Sequence, residues 1–287
     1  MIMPFFVSGL GIGAIYALSG LGLVLLFRAT GVLNFALGAV GAVGAFFAWQ
    51  VMAWGGGVAL AVLAAVALST AVNVAYGRYL APLLSQRDIV VRAIGTLALA
   101  LLLLSVIGVL WGDLPRRLVL PTDHHFFRLG GVRVNLTRIV AFLLSGVIVA
   151  GVTALLKYTR LGLDMRALAD ERDLSAILGV HILRTETLAW AISGFFAGLA
   201  GLLLGDLVRL QGEFLTFLVI PAIAAAILGQ MRGLALTALA GLGMGVIEAV
   251  LTPVALISPY RALAPYFIAL LTVAVLSFFS HASLKER

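Results

Sequence analysis

The sequence predicts an all-α, polytopic helical membrane protein with about eight or nine spans, one of them a short broken or re-entrant helix. Three observations predict it. The 287-residue chain is 63% hydrophobic and 11% charged, whereas an average soluble domain is about 25% charged. Its apolar runs are long enough to cross a hydrocarbon core ~30 Å thick, which takes ~20 residues of helix. Charge gathers in the breaks between runs and leaves mid-run positions nearly bare. The chain reads as one transmembrane domain, 1-287.

The runs follow in order. Pro4–Phe27 comes without a basic stretch ahead of it and is expected to be a retained span, not a cleaved signal. Leu33–Ala53, Val58–Gly77 and Ile94–Trp111 follow. The break at 112-138 holds Arg116, Arg117, Arg128, Arg133 and Arg138 and reads RLGGVRV. Two short alternating runs about Gly-Gly predict a small hairpin cap, here expected in an extracytoplasmic loop. Leu136–Leu156 and Thr187–Gly205 flank a charged segment, 157-186. Phe214–Leu228 is 15 residues long with Pro221 inside it. It is short for a crossing, and proline breaks a helix, so a broken or re-entrant element is expected there. Leu234–Leu251 and Ala264–Ser280 complete the set.

Arginine and lysine orient the chain. If the charged segment is cytoplasmic and all nine runs cross, the inner side receives Arg28, Arg78, Arg87, Arg92, Lys157, Arg160, Arg166, Arg172, Arg184, Arg232, Lys285 and Arg287. The outer side receives Arg209, Arg261 and the five arginines of 112-138. The expected C-terminus is therefore cytoplasmic. Glycines four apart, Gly9 and Gly13, Gly194 and Gly198, Gly201 and Gly205, Gly241 and Gly245, predict close helix packing. There is no cysteine, which excludes disulfides and thiolate chemistry. A basic excess carried by arginines in short loops suits a membrane surface or a docked partner, with no nucleic acid.

The segment LDMRALADERDLSAILGV, Leu163 to Val180, holds six charged residues between two apolar spans. One helix is expected over Asp164–Leu178, with Asp164 as N-cap, Leu163 and Leu168 as a hydrophobic staple, an Arg166–Asp170 pair and Gly179 just past its end. Its charges keep it from spanning, and its stiffness suits it to transmit force. The ordinary alternative is an amphipathic helix resting on headgroups. Asp170, Glu171 and Asp173 argue for a protein socket instead, because anionic lipid would repel them.

RALADERDLSAILGV resembles the cytoplasmic coupling segment of ATP-binding-cassette importer permeases, with Ala169, Asp170, Glu171 and Gly179 in register. The chain is similar in particular to the branched-chain amino acid (hydrophobic amino acid uptake) permease family. The opening GIGAIYALSGLGLVLLFRATGVLNFALGAVGAVGAF carries that family's Asn-Phe-Ala motif as Asn34-Phe35-Ala36. FLVIPAIAAAILGQMRGLALTALAGLGMGVIEAV resembles its late glycine-rich region, ending in Glu248. Where the family commonly continues with His-Gly-Glu, this chain has Leu37-Gly38-Ala39, a departure that bears on substrate and not on class. The resemblance implies a bacterial inner-membrane importer subunit, forming half of a pathway for branched-chain amino acids or a related small solute. Its implied partners are a second permease (related or a second copy), two cytoplasmic ATPase subunits and a periplasmic substrate-binding protein. Arg166, Ala169, Asp170, Glu171, Arg172 and Gly179 would couple to the ATPase.

The chain itself lacks Gly-x-x-x-x-Gly-Lys-Ser/Thr: its two lysines precede Tyr158 and Glu286. ATP is expected on partner subunits, with no cofactor bound here and no catalytic or metal site. His124 and His125, adjacent in the outer loop, are a poor chelating pair, and no acid–base constellation supports a hydrolase. Candidates for the pathway are Asn34, Phe35, Asn73, Pro221 and Glu248, although an interhelical hydrogen bond is the ordinary role of a buried amide. Glu248 stands toward the outer end of its span, where snorkelling or packing competes with a substrate role. Asp206, Arg209 and Glu213 form a polar outer turn or part of a docking surface for a binding protein. The alternative to the importer is a gradient-driven carrier or channel without an ATPase, which ordinarily places charge near the midplane. Mid-span regions here are bare.

Overall fold

The computed structural model describes residues 3–120, 126–129, 132–231, 233–253, 263–268, 270–272 and 274. Helices α1 (Met3–Thr30), α2 (Leu37–Ala53), α3 (Val58–Leu84) and α4 (Ile89–Trp111) come first. A hairpin of β1 (Phe126–Leu129) and β2 (Val132–Asn135) leads into α5 (Leu136–Tyr158). Two short helices, α6 (Arg160–Asp170) and α7 (Arg172–Ile177), precede α8 (Ile182–Leu207). Then come α9 (Gly212–Thr216), α10 (Val219–Leu228) and α11 (Leu234–Val250), with a further helical stretch at 264–268. Among the described residues, α1, α3, α4, α5 and α8 are long and apolar enough to cross a membrane, and α2, α11 and the joined 212–228 stretch are shorter apolar helices.

Burial sorts the helices by role. α1, α2 and α8 are enclosed by neighbours and form the core, centred on Phe46, Phe196 and Leu18. α3 and α4 turn apolar side chains such as Leu63, Leu101 and Val109 outward, and α5 is the least buried of the long helices. Exposed leucine and valine on long apolar helices is the composition of a lipid-facing surface.

Glycine sets the tightest contact. α1 and α11 run antiparallel, and a Cβ at Gly13 would lie 2.6 Å from Leu242 O, one at Gly9 2.7 Å from the Val246 Cα. Gly241 and Gly245 close the same seam from the α11 side. Gly194 and Gly198 meet Ser69, Thr70 and Val66 of α3, while Gly201 meets Gly41. Without a hydrophobic drive between helices in lipid, such backbone approach supplies the dispersion contact that holds them.

These contacts assign two ends. Arg92 at the start of α4 donates to Thr30 O at the close of α1, so those termini share one end with α6 and α7. The hairpin lies at the other. Gly212 packs on Ile107 near the hairpin end of α4, and Gly229 abuts Thr237 in the first turn of α11. The doubtful seventh element therefore passes from end to end, as two helices. Its break falls at Phe217 and Leu218, ahead of Pro221. Pro221 occupies the first turn of α10, where its missing N–H removes no helix bond, so it starts a helix and does not kink one.

The expected hairpin about Gly130 and Gly131 is present, with Phe126 opposite Asn135 and Leu129 opposite Val132. The Leu33–Ala53 run is helical only from Leu37, because Asn34 folds into a turn that its own side chain stabilises. Ile94–Trp111 and Thr187–Gly205 start five residues earlier, at Ile89 and Ile182. His124, His125 and the later part of Ala264–Ser280 lie outside the described residues.

Candidate functional site

The charged segment is two helices, not one. α6 begins at Arg160, directly after Thr159 breaks from α5 in an extended conformation, so Asp164 lies in mid-helix and caps nothing. Leu163 is exposed and forms no staple. Glu171 is extended at φ −147° and ψ 101°, and α7 starts at Arg172. The expected Arg166–Asp170 pair is absent; Arg166 Nε donates instead to Gly162 O at 3.1 Å. Gly179 behaves as anticipated. It sits at φ +89°, Val180 N–H reaches Ser175 O at 3.0 Å and Gly179 N–H reaches Ala176 O at 3.1 Å, the double bond of a glycine helix stop.

The rod is seated by its apolar face. Met165 is buried against Leu25, Leu26, Ala29 and Val32 of α1 and its exit, with Trp190 of α8 in the same cluster, and Leu168, one turn on, is buried as well. Its opposite side carries Arg166, Ala169, Asp170, Glu171, Arg172 and Asp173, all exposed. Leu174, Ile177 and Leu178 are 53%, 82% and 75% exposed beside them. A mixed acidic and apolar patch suits a complementary protein socket better than water alone.

One ion pair ties this rod to the core. Arg172 Nη1 donates to Glu186 Oε1 across a charge-assisted contact. Glu186, near the start of α8, is 8% exposed and also within electrostatic reach of Arg92. Arg92 in turn holds Thr30 O at 3.2 Å. Four elements, α7, α8, α4 and the end of α1, thus meet through three charged side chains. Sequence reading passed over Glu186 and Arg92; the available signal was a lone acid at the mouth of an apolar run, fourteen residues after an arginine in a segment too short to let them drift apart.

The pathway candidates do not converge on one cavity among the described residues. Asn34 is 1% exposed; its Oδ1 accepts from Ala36 N–H at 3.1 Å, while Nδ2 has no partner. Phe35 N–H donates to Thr96 Oγ1 at 3.1 Å, so the Asn-Phe-Ala turn is docked on α4. Asn73 is fully buried, facing Gly194 across the α3–α8 seam, and neither amide atom has a hydrogen-bond partner. The ordinary interhelical bond expected for it is not made. Trp190 Nε1 and Ser193 Oγ, also fully buried on α8, are unpartnered too. Just beyond Asn73, α3 widens into a π turn at Tyr76–Leu80, where Gly77 leaves room for the Trp190 indole. Glu248 accepts from Tyr16 Oη at 2.7 Å at the hairpin end of the α1–α11 seam. Asp206 Oδ1 accepts from Leu120 N–H at 3.0 Å and fastens the loop that follows α4 at the hairpin end.

Comparison with known proteins places these features. A family model described as branched-chain amino acid transport system / permease component matches residues 5–276. The high-affinity branched-chain amino acid transport system permease protein BraD of Pseudomonas aeruginosa is 29% identical over 258 residues, 85% of this chain and 84% of that protein. The probable branched-chain amino acid transport permease protein LivH of Methanocaldococcus jannaschii is 29% identical over 254 residues, 82% and 76% of the two chains. LivH of Escherichia coli K12 is 22% identical over 286 residues, 94% and 92%. Among solved structures, PsaBC from Streptococcus pneumoniae in complex with Fab aligns with a TM-score of 0.51 at 14% identity, covering 94% of this chain and 90% of that one. At that identity the likeness speaks for the fold alone.

Proposed function

The chain belongs to the family of branched-chain amino acid transport permease components, and from that premise we propose that it forms half of the translocation pathway of an ATP-driven importer, carrying branched-chain amino acids or a related small solute. The gradient-driven alternative draws no support from the family, and no described mid-span position carries the charge it would need.

The observation that carries the mechanism is the rod at one end of the bundle, seated on α1 and latched to α8 by Arg172–Glu186. Its exposed face, with Asp170, Glu171 and Asp173 beside Leu174 and Ile177, is the coupling surface for a cytoplasmic ATPase. Hydrolysis belongs to that partner, since this chain has no phosphate-cradling loop. ATP-driven closure of the ATPase pair moves the rod, α5 and α8 follow, and the pathway between this permease and a second one changes the side it opens to. The described cations number nine at the rod end and six at the hairpin end, which supports the rod end as cytoplasmic in a bacterial inner membrane, with the C-terminus on the same side. The arginine-rich loop with Asp206, Arg209 and Glu213 then faces outward, where a substrate-binding protein docks.

Reconstitution with a second permease, an ATPase pair and a substrate-binding protein tests this reading. Replacing Glu171 by Arg, or deleting Asp170–Asp173, should abolish ATP-dependent leucine uptake while leaving membrane insertion intact. Undiminished uptake in either variant would overturn it.

A further inference from the structure

Between the start of α6 and the start of α8 lies a cleft of about 420 Å³. It borders the coupling surface at Leu178 and Gly179, while the charged coupling residues Asp170, Glu171 and Asp173 take no part in it. Its wall includes Arg160, Asp164, His181, Arg184, Thr185 and Leu188. The side chains of Arg160, Asp164 and Arg184 make no ion pair or hydrogen bond among the described residues, although three opposite and like charges crowd one small space. The 26-residue helix α8 opens onto the cleft with no side-chain cap at His181, so its first N–H groups are free and carry the positive end of the helix dipole. Thr185 is 3% exposed, lines the cleft, and its hydroxyl has no hydrogen-bond partner.

Charge decides what fits. A simple anion would meet the Asp164 carboxylate one helical turn from Arg160, and a simple cation would meet two guanidinium groups and a helix N-terminus. A molecule bearing both signs satisfies all of them. We propose that this cleft binds a small zwitterion. Arg184, Arg160, the Thr185 hydroxyl and the open turn of α8 hold its oxyanion, Asp164 holds its ammonium, and its apolar body lies on Leu188. Two sources offer that chemistry: a free amino acid in the cytoplasm, the imported solute on its exit side, or a phosphoethanolamine headgroup of the inner leaflet. The amino-acid arm rests on the sidedness and cargo proposed above; the headgroup arm rests on neither cargo nor transport. Either occupant would bridge α6 and α8 beside the Arg172–Glu186 latch and restrain the rod, so an accumulated solute would brake its own import.

The full-length chain in nanodiscs tests this. In discs of phosphatidylglycerol alone, without ATP, labelled L-leucine should bind saturably by equilibrium dialysis. Binding should weaken by about tenfold or more in Arg184→Gln and in Asp164→Asn, the loss expected for one charge-assisted hydrogen bond. Arg184→Lys, which keeps the charge, should retain part of it and so separates a lost contact from a misfolded chain. Leucinamide and 4-methylpentanoate, each lacking one charge, should not compete. If the headgroup is the occupant, leucine fails to bind, and adding phosphatidylethanolamine raises the thermal stability of the wild-type chain but not of the two variants. Leucine binding and lipid stabilisation that are both absent, or both unchanged in the variants, would overturn the proposal. Leucine uptake by vesicles holding the whole importer reports on the cargo separately, and its failure leaves the dialysis result standing.

Discussion

Breaking the Arg172–Glu186 pair should uncouple hydrolysis from transport without preventing assembly. Glu186 is 8% exposed, whereas the Arg172 side chain is 41% exposed. An exposed pair contributes about 0.2–1 kcal/mol, and stranding one member of a buried pair costs about 3–5 kcal/mol. With one partner inside and one at the surface, the expected loss falls between, about 2 kcal/mol or roughly 30-fold in the equilibrium between latched and free rod. The two single variants are not equivalent. Arg172→Ala leaves Glu186 with Arg92 still near, but Glu186→Ala leaves Arg92 with its Nε already buried and unpartnered. Glu186→Ala should therefore cost more. The assay is ATP hydrolysed per leucine imported in reconstituted vesicles. Each single variant should raise that ratio about tenfold or more, and the double variant should be no worse than Glu186→Ala alone, because both remove one interaction. Effects that multiply in the double variant, or singles with a wild-type ratio, would refute the latch.

Two further substitutions probe the packing. Gly241→Leu forces a side chain into the backbone of Ala17 on α1 and should lower thermal stability in detergent by about 2 kcal/mol or more, while Gly243→Ala on the same helix, with nothing within 4 Å, should be nearly neutral; equal effects would contradict the glycine seam. Asn73→Leu exchanges an amide with two unpartnered buried atoms for an apolar group of similar size and should stabilise the chain by about 1–2 kcal/mol, read by thermal denaturation. A destabilised variant would show that Asn73 is satisfied by something bound in the α3–α8 seam.

Sequence reading succeeded where a single physical term dominates. Twenty apolar residues can do little but span, and Gly9, Gly13, Gly241 and Gly245 could be paired with close packing because lipid offers helices no other drive to associate. It erred where tertiary contact overrides local preference. Asp164 is a better cap than Thr159 by propensity, yet α6 starts at Arg160 because burial of Met165 against α1 fixes the rod's phase. Nothing in Ala169–Asp173 forbids a continuous helix; the extended Glu171 is set by where Arg172 must stand to reach Glu186, a partner contributed by a different span. Pro221 was legible as a break but not as a beginning, because the end of α9, just ahead of the turn at Phe217 and Leu218, is set by Leu215 and Thr216 packing on Gly38 of α2. The unpartnered Asn73, Trp190 and Ser193 had no sequence signature at all, since satisfaction is a property of neighbours.

The asymmetry of the rod's attachments explains why a salt bridge is needed at one of its ends and not at the other. On the α5 side the chain turns at Thr159 and folds back so closely that a Cβ on Gly162 would collide with Leu156 O. That corner is stiff, and a displaced rod carries α5 with it. α5 is also the least buried of the long apolar helices. On the α8 side the rod ends at Gly179 in a left-handed turn, followed by Val180 and His181 before the next helix begins. A link of three residues with a glycine transmits little force, yet α8 is the helix buried in the core against α1, α2 and α3. If the rod is the ATPase handle proposed above, then without a second connection its movement would carry α5 and leave α8 in place. Arg172–Glu186 is that second connection, bypassing the soft link and fastening α7 to α8 near its start.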